Sequence, residues 1–105
     1  RGFDRFYGIL DGFTNLHQPH RLVEDNHQVD VDAFDEDYYF THDITERALD
    51  MIRAGRAADP SQPFLLYLSH GAAHAPLHAR PDDMARYRGR YDAGWDEIRY
   101  APDAS

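Results

Sequence analysis

Three histidines follow an apolar run at intervals of four in PFLLYLSHGAAHAPLHARP, residues 63–81: His70, His74 and His78. Imidazoles at this spacing suggest two chemistries. On a helix, side chains one turn apart share a face, and two neutral imidazoles there can hold zinc. In a loop leaving a buried strand, a single imidazole can move a proton near neutral pH, because histidine titrates at about 6.5. Pro76 decides against the helix. Inside one it removes a hydrogen bond and pushes Ala75 away from helical angles, and Gly71 weakens the helix further. The stretch is expected to be a loop. In open α/β sheets ligands bind in the crevice at the carboxyl ends of strands. One or more of the three histidines is then expected to face a site. The bland reading, three solvated loop residues, has equal standing on pattern alone.

The elements that would position such a loop are legible on both sides. Before it, Phe64-Leu65-Leu66-Tyr67-Leu68 does not alternate in polarity, which is how a strand covered on both faces reads. A helix is expected over residues 42–57. Ile44, Ala48, Met51, Ile52 and Gly55 fall on one face, and Thr41 or Asp43 is the expected cap, Asp43 with Glu46 at capping-box spacing. Asp43 and Arg47 stand one turn apart, as a helical ion pair requires. Helix, loop and buried strand together are half of an α/β unit. After the histidines, PDDMARYRGRY predicts a second short helix, with Pro81 in its first turn and Asp82 and Asp83 at its positive end. Residues 1–29 are broken by Gly2, Gly8, Gly12 and Pro19 and predict short strands and turns. RLVEDNHQV there reads as a hairpin turning at Asp25-Asn26.

Composition narrows the functions. The chain has 105 residues, 42% hydrophobic and 13% aromatic, enough for one domain or less and against wholesale disorder. A formal charge of -8 argues against nucleic acid as a partner. No apolar run is long enough to span a membrane. With no cysteine, disulfides, thiolate metal sites and cysteine nucleophiles are excluded. All eleven basic residues are Arg. The first residue is not Met, and the expectation is a piece of something longer. Asp30, Asp32, Asp35, Glu36 and Asp37 suggest a calcium loop only superficially. With Asp30 first, Asp35 takes the sixth position, which an EF-hand reserves for Gly. The acidic run is expected to be a solvated connector.

RGFDRFYGIL, LVEDNHQV, YYFTHDITERALDMIR, PFLLYLSHGAAHAPLHA and YRGRYDAGWDEIR together resemble the formylglycine-dependent sulfatases, in order and with similar gaps, over nearly the whole chain. The resemblance implies an α/β fold. It would be a fragment of an alkaline-phosphatase-like sandwich, with a central mixed sheet containing Phe64–Leu68 and flanked by helices. It implies that residues 1–105 are an internal segment of a sulfatase catalytic domain. It gives His74, in the family's H-x-P motif here spelled His74-Ala75-Pro76, the catalytic and substrate-binding role of donating a proton or hydrogen bond to the leaving ester oxygen. His70 and His78 inherit no role.

The resemblance further implies a small-molecule sulfate ester as substrate. It implies calcium and a formylglycine nucleophile in the parent, both held outside this chain, and no metal ligand within it. The nucleophile motif, C/S-x-P-x-R, has only His17-Gln18-Pro19-His20-Arg21 as an imitation, with a histidine where the modifiable residue belongs. The family's catalytic lysine has no counterpart. Asp11-Gly12-Phe13 stands where close relatives often have Gly-Gly-Glu, so Phe13 could stack on an aryl group or be buried. The other partners expected are the remainder of the parent chain and, for the isolated piece, copies of itself. A phosphonate or phosphate monoester hydrolase of the same superfamily and a small His-rich binding module stay open as alternatives.

Overall fold

A computed structural model describes residues 2–100, Tyr100 by its backbone alone. Arg1, at the head of the first motif, and residues 101–105, the end of the expected segment, lie outside the described residues. Six elements are formed: β1 (Tyr7–Ile9), β2 (Leu22–Glu24), β3 (His27–Gln28), α1 (Phe40–Ala58), α2 (Pro81–Tyr87) and α3 (Trp95–Tyr100). The three strands make an antiparallel sheet in the order β1-β2-β3. Gly8 stands opposite Val23, and Glu24 opposite His27. The expected hairpin is present. Asp25 adopts φ 54°, in the left-handed region that a two-residue hairpin loop demands and that Asp tolerates better than most residues. Its side chain then accepts the Phe6 backbone N–H at 2.9 Å and faces Arg5 at 3.1 Å, tying the turn to the residues that lead into β1.

The core lies between this sheet, the 14–19 loop and the start of α1. Leu16, Leu22, Phe40 and Ile44 are buried together, with Tyr7, Ile9, Val29, Phe34, Tyr38 and Tyr39 packed around them. Ile44 and Ala48 are buried as the helical period predicts, Met51 and Ile52 are half-buried, and Gly55 is exposed. The helix begins earlier than expected. Its N-cap is Tyr39, which makes no side-chain cap bond, and the Thr41 hydroxyl is buried without a partner among the described residues. Burial of Phe40 starts the helix two residues early, so Asp43 lies inside it. The Asp43 carboxylate accepts the hydroxyls of Tyr7 at 2.5 Å and Tyr38 at 2.6 Å and pairs with Arg47 at 3.6 Å. The Arg47 guanidinium lies 4.7 Å over the Tyr7 ring. Asp43 thus joins β1, the connector and α1 in place of capping.

Burial, and then the Asp43 carboxylate beside them, raise the pKa values of Tyr7 and Tyr38 well above the ordinary tyrosine value. A raised tyrosine keeps its proton when folded while the unfolded chain loses it at about pH 10, so rising pH favours unfolding there. The stability advantage of wild type over a Tyr7→Phe/Tyr38→Phe double variant is therefore full below about pH 9 and shrinks above about pH 10. Asp43→Ala is expected to cost about 1.5–3 kcal/mol, the range for hydrogen bonds to a charged group. Urea titrations between neutral pH and the alkaline range measure both. A wild-type advantage that stays constant across that range would contradict the assignment.

A second expectation fails. Phe64–Leu68 forms no strand. Its side chains are exposed, Leu65 at 82% and Tyr67 at 77%, and among the described residues no backbone hydrogen bond reaches it. The apolar run is there, but a strand exists only by pairing. β1, β2 and β3 close among themselves, and no described strand runs beside residues 64–68. The sheet observed is antiparallel, and the larger mixed sheet is not formed by these residues. A small sheet flanked by helices is consistent with an α/β fold of the expected kind. α2 starts at Pro81 with Asp82 and Asp83 in its first turn, as predicted, and ends before Gly89, whose φ of 76° suits a glycine beyond a helix end. α3 was not expected from the sequence.

Candidate active site

The His70–His78 loop is not helical, so the three histidines share no face. Two anchors dock it on the loop before β2. A Cβ at Gly71 would stand 3.4 Å from Leu16 Cδ2, so the glycine lets the two loops pass closely. Further on, the Leu16 backbone N–H donates to His78 Nδ1 at 3.2 Å, and the Tyr39 hydroxyl donates to the His78 carbonyl at 3.2 Å. Accepting at Nδ1 puts the proton of a neutral His78 ring on Nε2. His78 is half-buried, with its ring 5.5 Å from that of His17. His17 is itself occupied, since its Nδ1 donates to the Tyr38 carbonyl at 3.0 Å. The spacing of His78 gave no sign of this bracing, which depends on contacts 62 residues away in sequence.

His74 stands on the turn between these anchors. Its backbone N–H donates to the Gly71 carbonyl at 2.9 Å, and its side chain is exposed. The ring contacts Ala75: Nδ1 lies 2.8 Å from that carbonyl oxygen. A carbonyl only accepts, so Nδ1 carries hydrogen and Nε2 is the nitrogen left for a ligand. The ring plane is within 6° of that of Phe13, centroid to centroid 6.2 Å. Both residues, with His70, line a groove of about 1200 Å³ between the 62–71 segment and the face of β1 and α1. His70 is exposed there and makes no hydrogen bond among the described residues.

Opposite His74, the loop carrying Phe13 is tied down by ion pairs and hydrogen bonds. Asp11 pairs with Arg21 at 2.6 Å and with His20 at 3.0 Å. The buried Thr14 hydroxyl accepts the His20 backbone N–H at 3.1 Å and lies 3.0 Å from His20 Nδ1. Asp11, His20 and Thr14 form a hydrogen-bonded line, but Thr14 is only 3% exposed, so its oxygen is closed to a substrate and the line serves as a brace.

Residues 1–103 match the sequence model of the sulfatase family. The chain belongs to the sulfatase family. In this sulfatase chain, the calcium and formylglycine that the family implies find no fitting residues. Among the described residues no three His, Asp or Glu side chains come together to hold a metal. The acidic side chains of the run Asp30–Asp37 are exposed, as those of a solvated connector should be. His17, in the modifiable position of the imitation motif, is engaged with Tyr38. Ser61-Gln62-Pro63 has the right start but Leu65 in place of Arg, and its hydroxyl is spent on Asp59 at 2.7 Å.

Proposed function

We propose that this chain is an internal segment of a sulfuric ester hydrolase that cleaves small sulfate esters, and that His74 protonates the departing ester oxygen. Family membership supports the substrate class. The observation that carries the role of His74 is its hydrogen bond to Ala75, which commits Nδ1–H and leaves Nε2 free on an exposed turn. As the S–O bond breaks, negative charge collects on the leaving oxygen. A neutral ring with hydrogen on Nδ1 has only a lone pair at Nε2, so the acid is the imidazolium. Its Nε2–H is given to the oxygen, while Nδ1–H stays on the Ala75 carbonyl. The brace of Gly71 and His78 holds the turn while this happens. The nucleophile and calcium of the complete enzyme would come from residues outside this chain, whose own contribution is the leaving-group side of the site.

Turnover of matched sulfate monoesters, phosphate monoesters and phosphonate monoesters by the purified full-length enzyme tests the substrate class. The expected result is the highest kcat/KM on the sulfate. A preference for the phosphate or phosphonate would reassign the enzyme within its superfamily.

A further inference from the structure

We infer that Phe13 is a specificity-determining residue, which stacks on an aromatic leaving group while His74 addresses that group's ester oxygen. The inference rests on the sulfate-ester reading and names the class of ester. Phe13 is 62% exposed, which wastes most of the burial a phenyl ring could gain. It is nevertheless held in place. Asp11 on one side is fixed by Arg21 and His20, and Thr14 on the other is buried and bonded to His20. An apolar ring presented to solvent on a braced loop is preorganised for a ligand. Its plane lies within 6° of the His74 ring at 6.2 Å, and both rings face the same groove. An aryl ester lying against Phe13 carries its ester oxygen one bond from its own ring, within the span between the two residues. Aromatic pairs gain from offset stacking at centroid separations of about 4.5–7 Å, a gain that an alkyl group forgoes.

The test uses the full-length enzyme with Phe13→Ala, Phe13→Leu and Phe13→Tyr. Each is compared with wild type on an aryl sulfate and an alkyl sulfate, with melting temperatures as controls. Stacking present in ground and transition states alike appears in KM. Phe13→Ala and Phe13→Leu should lower kcat/KM for the aryl ester about tenfold, mostly through KM, and leave the alkyl ester within about twofold. Phe13→Tyr should retain the aryl preference. Should Phe13→Ala fold poorly, Phe13→Leu carries the comparison. Equal losses on both esters would show that Phe13 merely props His74 and would overturn the inference while leaving the sulfate-ester reading intact. An unchanged aryl-to-alkyl ratio would overturn it too. If His74→Ala is harmless yet the ratio still collapses in Phe13→Leu, the role of His74 fails and that of Phe13 stands. Turnover of neither ester by wild type would sink both.

Discussion

Replacing His74 by Ala in the full-length enzyme is expected to lower kcat by about 100- to 10,000-fold, the usual worth of a general acid. The melting temperature should hardly move, because the side chain is exposed and, among the described residues, its one hydrogen bond is to the neighbouring residue. His78→Ala should behave differently. It removes the acceptor for the Leu16 N–H and loosens the loop, so it should lower stability more than His74→Ala does while costing less activity.

The isolated 105 residues should be inactive and should self-associate. The phenylalanine, leucines and tyrosine of 64–68 are 37–82% exposed, and their backbone groups are unpaired among the described residues. An unpaired apolar segment is a template for pairing with another chain. The exposed Trp95 and Leu77, at 82% and 80%, add to the apolar surface. Sedimentation at several concentrations should show mass rising with concentration, and amide exchange at 64–68 should be fast in any monomer that remains. No sulfate ester should be hydrolysed, since the chain lacks lysine and cysteine, and its described residues offer no metal cluster. A monodisperse monomer that unfolds cooperatively, with strongly protected amides at 64–68, would show that the segment is a domain in its own right.

Local signals were legible in the sequence and non-local ones were not. The hairpin at Asp25-Asn26, the helix carrying Ile44 and Ala48, and the helix opened by Pro81 each follow from a few neighbouring residues. Phe64–Leu68 read correctly as apolar, but whether it pairs depends on strands elsewhere, and none of β1–β3 serves. The start of α1 was misplaced for a related reason. Asp43 looks like a cap in sequence, and only the fold brings Tyr7, 36 residues away, to claim its carboxylate. At the site, Pro76 correctly ruled out the helical histidine face. The bracing by His78, and the near-parallel rings of Phe13 and His74, needed the 10–21 and 70–78 loops to be seen side by side.

The central claim is that His74 gives a proton to the leaving oxygen, and a leaving-group series tests it most directly. Turnover of aryl sulfates spanning good to poor phenolate leaving groups would be measured for wild-type enzyme and His74→Ala. A departing oxygen that receives a proton carries little charge, so wild type should depend weakly on leaving-group acidity. His74→Ala should depend steeply on it, with the largest loss on the poorest leaving group and the smallest on an activated ester. Parallel dependences, or near-normal turnover by His74→Ala across the series, would contradict the account and turn attention to His70, the other exposed histidine in the groove.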